Sequence, residues 1–260
     1  FIDRVKGSTT PDTTYTPINC QTCHEPHGQT QPATAAHLVR TENVTLADGT
    51  AVADGGAGML CMNCHQSRVN AATYAATTAG SARFGPHHGP QADMLEGANG
   101  FTYGQLIPSS AHAFVVEDTC VACHMQTVAE TAPGFSTVGG HTFKPSVSDG
   151  TKTIELVGAC QKCHGPQLTT FNFRLMDYDE DGKIEGVQTE VQHLLDQLAL
   201  LLPPVGTPKT ALTIDSTWNR RQLEAAFNWQ FVANDGSLGI HNTAYAVGLL
   251  KASIDDLNAK

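Results

Sequence analysis

The sequence predicts a mostly irregular, loop-rich fold with several α-helices and small β-hairpins. Three observations predict it. The 260 residues include 24 Gly and 13 Pro, which suit turns and connections better than long regular elements. Hydrophobic residues make up 40% and aromatic residues 7%, a modest supply for a core in a chain of this length. The pattern Cys-x-x-Cys-His occurs four times and uses all eight cysteines. Its copies are Cys20-Gln21-Thr22-Cys23-His24, Cys61-Met62-Asn63-Cys64-His65, Cys120-Val121-Ala122-Cys123-His124 and Cys160-Gln161-Lys162-Cys163-His164.

This pattern is the attachment signature of a c-type haem. The two thiols add across the vinyl groups of the macrocycle, and the adjacent imidazole reaches the iron from one face. The reading gives four haem c groups, with His24, His65, His124 and His164 as proximal iron ligands. A zinc ribbon would group two Cys-x-x-Cys pairs on one ion and would need no histidine after each. A disulfide framework is disfavoured as well, because bridges within such short loops staple nothing distant. Macrocycle faces would supply apolar surface that side chains do not, so the chain is expected to wrap a tetrahaem array as one multihaem cytochrome c domain over 1–260.

Residues 1–19 are polar, rich in Thr and Pro, and read as an extended arm. Residues 43–52 alternate about Asp48-Gly49 and predict a small hairpin. A Gly-rich turn over 54–58 leads into the second motif, and the Ala- and Thr-rich stretch 66–80 predicts a short helix. A second hairpin is expected over 147–156, turning at Asp149-Gly150. From 187 to 260 the chain becomes helical. Val191, Leu194, Leu195, Leu198 and Leu201 recur at helical spacing, and Pro203 and Pro204 end that helix. A further helical segment runs from near Thr217 to about Val232, breaks at Asn234-Asp235-Gly236, and resumes after Asn242 to about Leu257.

Between the fourth motif and the first long helix lies DYDEDGKIEG, residues 177–186. Asp177, Asp179 and Asp181 stand at positions 1, 3 and 5 of an EF-hand-like loop, with Gly182 at position 6. Alternate carboxylates followed by a turn glycine can converge on one hard cation, so calcium is a candidate ligand. Position 12 is Gln188 rather than Glu, and the nearest Glu is Glu190. The competing reading is a solvated acidic turn.

A low-spin haem needs a second strong axial ligand, which neutral imidazole supplies well. Twelve histidines less the four proximal ones leave eight. His193 sits on the amphipathic helix and reads as a helix-surface residue, and His37 in AAHLVR is a weaker ligand candidate. His87 and His88 are adjacent and unsuited to one iron, so one counts, with His88 preferred. The distal candidates are then His27, His88, His112, His141 and His241, five for four irons.

The net charge of −10 argues against a nucleic-acid partner. No run of about 18 apolar residues exists, so no transmembrane segment is expected. Phe1 is not an initiator Met, and covalent haem attachment implies assembly outside a bacterial cytoplasm. The chain is therefore read as an exported one whose signal has been removed, located outside the cell, at its surface or in the periplasm.

With its four motifs the chain resembles the multihaem c-type cytochromes. Residues 227–257, FNWQFVANDGSLGIHNTAYAVGLLKASIDDL, resemble the end of the pentahaem nitrite reductases, where a helix, a Gly-x-His segment and a second helix supply a distal haem ligand. That resemblance implies such a role for His241. Those enzymes carry a catalytic Cys-x-x-Cys-Lys haem, which this sequence lacks, so their activity is not implied. The segment CHEPHG is similar to repeats of multihaem outer-membrane conduits, where the second His ligates a neighbouring haem, and this implies a ligand role for His27. In haem number and loop-rich composition the chain is similar to extracellular tetrahaem cytochromes that polymerise into conductive filaments, in which one axial His comes from the adjacent subunit. The expected function is electron transfer through four bis-His haems, without enzymatic activity, in a head-to-tail homopolymer that exchanges electrons with redox proteins or extracellular acceptors. The alternatives are a monomeric periplasmic carrier and a small reductase of nitrogen or sulfur oxyanions.

Overall fold

A computed structural model describes residues 17–24 and 43–259. The first part of the expected arm (1–16) and the ligand candidates His27 and His37 lie outside the described residues. Four of the helices are short and carry the motif cysteines except Cys64, which follows the second: α1 (Cys20–Cys23), α2 (Met59–Met62), α6 (Cys120–His124) and α7 (Gly158–His164). Between them come β1 (Val44–Thr45), β2 (Ala51–Val52), α3 (Ala71–Thr77), α4 (Gln91–Glu96), α5 (His112–Val115), β3 (Ser146–Ser148) and β4 (Thr153–Glu155). Three long helices follow: α8 (Val187–Leu201), α9 (Arg220–Asp235) and α10 (Thr243–Asn258).

Both expected hairpins form, each as a two-stranded antiparallel sheet. Val44 stands opposite Val52 in the first, and Val147 opposite Ile154 in the second. The turn of the first uses Gly49 at φ 97, where a side chain would be strained, with Thr50 N–H donating to Asp48 Oδ1 at 2.9 Å. The second turns the same way on Gly150, with Asp149 Oδ1 accepting the N–H groups of Thr151 and Lys152.

The main core lies where the helical periodicity predicts it. Val191, Leu194, Leu195 and Leu198 of α8 pack with Phe227, Phe231 and Val232 of α9 and with Ala246, Leu249 and Leu250 of α10. This side-chain core is more extensive than the modest composition suggests, because the apolar residues are concentrated in these helices rather than spread along the chain. Asn219 starts α9 with a capping box, its Oδ1 accepting Gln222 N–H while Gln222 Oε1 accepts the N–H of Asn219. Gly236 ends the helix at φ 76, where a left-handed residue is needed. At the other end of α8, the Lys209 ammonium donates to the carbonyls of Ala199, Leu202, Pro204 and Thr207 at 2.6 to 2.9 Å, which satisfies a helix C-terminus with a cation.

Two buried asparagines fasten the irregular segments to this core. Asn228 of α9 accepts Phe101 N–H at 2.8 Å and donates to the Phe101 carbonyl and to Ser253 Oγ. Asn242, the N-cap of α10, accepts the N–H groups of Ser110 and Tyr245 and donates to Ser109 Oγ at 2.8 Å. The segment that enters α5 is thereby tied to the residue after His241.

Replacing Phe231, which is fully buried, by Ala removes a ring from the centre of the helical core. The expected loss is about 3–5 kcal/mol of unfolding free energy, measured by denaturant titration with far-ultraviolet circular dichroism. Leu106→Ala, at a side chain 98% exposed, is expected to change the same quantity by less than about 0.5 kcal/mol.

Candidate haem-binding sites

Each motif forms about one helical turn. On a helix, positions i, i+3 and i+4 share a face, so both thiols and the following imidazole of a motif are presented together. The His24 and His65 N–H groups donate to the Cys20 and Cys61 carbonyls at 2.8 and 2.9 Å, which closes those turns through the histidine. Asn19 caps α1 by accepting Gln21 N–H at 3.0 Å, while its own N–H donates to Thr22 Oγ1 at 3.1 Å.

The thiols of successive motifs approach one another in chain order. Burial pushes the Cys23 thiol up, and the nearby Cys61 adds to it. Cys61 and Cys120 share a hydrogen bond, which together with burial drives the Cys61 thiol far above its ordinary range. Cys123 is raised by burial and then by Cys160. The second and third motifs are also locked through the backbone. Asp118 and Thr119 adopt positive φ of 60 and 37, with Asp118 Oδ1 accepting Ala57 N–H at 2.7 Å and Thr119 Oγ1 donating to the Gly55 carbonyl at 2.8 Å. A Cβ on Gly58 would meet Cys120 N at 2.9 Å, so this approach requires glycine.

The histidines pair across the fold. A metal–imidazole bond is about 2 Å long, so two rings on opposite faces of one ion stand roughly 6 Å apart between centres. Three pairs stand at 6.1 Å: His24 with His141, His124 with His241, and His164 with His112. Each pair joins one motif histidine to one histidine outside the motifs. With a thiol pair beside each motif histidine, this donor set fits a covalently attached, bis-imidazole haem. The pairing is long-range. Neither His112 nor His141, which flank the third motif in sequence, faces His124.

Carbonyls and one carboxylate orient these rings. His124 Nδ1 donates to the Phe143 carbonyl at 2.8 Å, and His112 Nδ1 to the His241 carbonyl at 3.2 Å. His241 Nδ1 donates to Asp235 Oδ1 at 2.6 Å, and the Asp235 side chain is 1% exposed. Burial alone would lower the His241 pKa, but the Asp235 charge and hydrogen bond outweigh it and raise it. Burial lowers that of His124. In each case Nδ1 is engaged, which leaves Nε2 for a metal.

The second motif is different. His65 Nδ1 donates to Gln91 Oε1 at 3.2 Å, and Gln91 Nε2 donates to the Asn234 and Asp235 carbonyls. Among the described residues no imidazole faces His65 in the way the three pairs face each other. His88 lies on an exposed loop beside this motif, and a Cβ on Gly89 would touch the Cys64 carbonyl and His65 Cα at 3.6 and 3.7 Å. The His88 ring, however, stands 5.5 Å from that of its neighbour His87.

In the acidic loop, oxygens of Asp177, Asp179 and Glu190 lie within 4.8 Å of one another. Asp181 faces Lys183 instead, at 2.6 Å. Asp177 Oδ1 is buried with no hydrogen-bond partner. Glu190 accepts the N–H groups of Tyr178, Asp179 and Glu185, and Asp179 Oδ2 accepts His193 Nδ1–H at 2.6 Å. His193 therefore faces the acidic loop rather than a motif. Glu190, which the sequence offers only as the Glu nearest to position 12, joins the group because α8 folds back on the loop, and His193 on the same helix then faces Asp179.

No protein-family model, no curated protein and no solved structure matches the chain.

Replacing His112, His141 or His241 by Ala is expected to convert one ferric centre each from low-spin to high-spin, read by electron paramagnetic resonance of the purified protein. His193→Ala, which removes no paired ring, is expected to leave the spectrum unchanged.

Proposed function

We propose that this chain is an electron-transfer protein that holds four haem c groups, and that it works as a subunit of an extracellular head-to-tail filament. The observation that carries the reading is the set of three imidazole pairs at 6.1 Å, each joining a Cys-x-x-Cys-His histidine to a distant one. Each haem would supply a one-electron ferric/ferrous couple. The remaining work belongs to the chain. Cys20, Cys23, Cys61, Cys64, Cys120, Cys123, Cys160 and Cys163 would tether the cofactors, so they cannot diffuse away outside the cell. Paired neutral imidazoles stabilise the ferric state, which favours low potentials. The approach of Cys23 to Cys61, Cys61 to Cys120, and Cys123 to Cys160 supports an array that follows chain order.

Polymerisation draws its support from the surplus of histidines in the sequence, by which His27 or His37 could ligate a haem in a neighbouring copy. A heterologous contact whose rotation does not close gives an open filament, and a metal–nitrogen bond across it would strengthen the joint. In the acidic loop we propose a calcium ion held by Asp177, Asp179 and Glu190, supported by the unpartnered, buried Asp177 Oδ1.

Intact-protein mass is expected to exceed the polypeptide mass by four haems, with every centre low-spin in the resting ferric protein. Three haems or fewer would sink the tetrahaem reading, and a sizeable high-spin signal would favour a reductase. Negative-stain microscopy is expected to show filaments. Monomers at high concentration with all four centres six-coordinate would identify a soluble carrier instead. Calcium is expected to survive dialysis against a weak chelator in the wild type and to be lost in Asp177→Asn, read by elemental analysis.

A further inference from the structure

We propose that Asp235 is a positioning residue that sets the reduction potential at the third motif, by giving His241 a charged hydrogen-bond partner. The inference rests on the tetrahaem reading above and adds to it an unequal tuning of the four sites.

The hydrogen bonds made by Nδ1 of these histidines differ in kind. His124 and His112 donate to backbone carbonyls, and His65 donates to a side-chain amide. His241 donates to a carboxylate at 2.6 Å. Charge-assisted bonds are short and roughly twice as strong as neutral ones. Asp235 is also built in rather than adventitious. It closes α9 with its side chain buried, its Oδ2 accepts both the N–H and the hydroxyl of Ser237, and Ser237 Oγ in turn accepts His241 N–H at 3.1 Å. Ser237 thus fixes the orientation of the carboxylate and the backbone of the histidine together. Among the described residues the Asp235 carboxylate oxygens bond only to Ser237 and His241, and no Lys or Arg pairs with them.

The consequence follows from where electron density goes. Asp235 draws the Nδ1 proton towards itself, so the imidazole gains imidazolate character and donates more strongly through Nε2. Stronger donation, with a buried negative charge nearby, stabilises the ferric over the ferrous state. Reduction adds one electron from a low-potential one-electron donor and leaves the Nδ1 proton in the hydrogen bond. Asp235 therefore makes the third site harder to reduce than its ligand set alone would.

The test is Asp235→Asn in the haem-loaded full chain, by spectroelectrochemical titration. Asn keeps the shape and removes the charge. Of the four couples, one is expected to move to higher potential, with about a tenfold change in its equilibrium constant, which is 59 mV for one electron. Asp235→Glu, which keeps the carboxylate, is expected to return that couple towards the wild-type value. Four haems, a low-spin spectrum and four unmoved couples in Asp235→Asn would overturn the proposal and leave the tetrahaem reading standing. A wild type with fewer than four haems would overturn that reading instead. Should Asp235→Asn fail to fold, the near-infrared charge-transfer band of the ferric wild type decides. A component displaced to higher energy supports the proposal, and coincidence of all components at the position of neutral bis-imidazole overturns it.

Discussion

Each of three motif histidines stands 6.1 Å, centre to centre, from a histidine far away in the sequence, and holding such pairs is the constraint that ties the separate segments together. The separation leaves room between them for a metal and its two bonds, and it recurs in three pairs that each match a motif histidine with a distant one. Much of the fold can be understood as the means of holding those pairs. His241 is separated from His124 by more than a hundred residues, so only tertiary structure can set them at that distance.

The helical core of α8, α9 and α10 is the scaffold for that task. Its apolar contacts fix the junction of α9 and α10, where Asp235 ends α9 and Ser237 and His241 lie in the turn that follows. Asn242 then reaches across to Ser109 and Ser110, just before His112. The histidines that face the third and fourth motifs are thus set by one junction, and His112 donates directly to the His241 carbonyl. Buried amides suit this role. Each satisfies several backbone groups at once, and losing one would leave those groups unpaired and desolvated.

The motif helices are short and draw stability from contacts with one another and with the loops around them. Glycine at Gly58 lets the third motif approach the turn before the second, and Asp118 and Thr119 hold that approach at the cost of strained backbone. Strain of this kind persists only where surrounding structure enforces it, here through hydrogen bonds to Ala57 and Gly55.

The sequence by itself determined the local features. The four motifs, both hairpins, a short helix within 66–80 and the three long helices follow from composition, spacing, turn residues and apolar periodicity, which are properties of neighbours along the chain. It also singled out a short list of histidines that includes His112, His141 and His241, each of which faces a motif histidine in the fold. Only the tertiary structure decided which histidine faces which motif, that Asp235 backs His241, and that Glu190 rather than Asp181 joins the acidic group. The physical reason is the same in each case. Local geometry is fixed by backbone sterics and hydrogen bonds a few residues apart, whereas these contacts depend on how separate segments are brought together by the buried core.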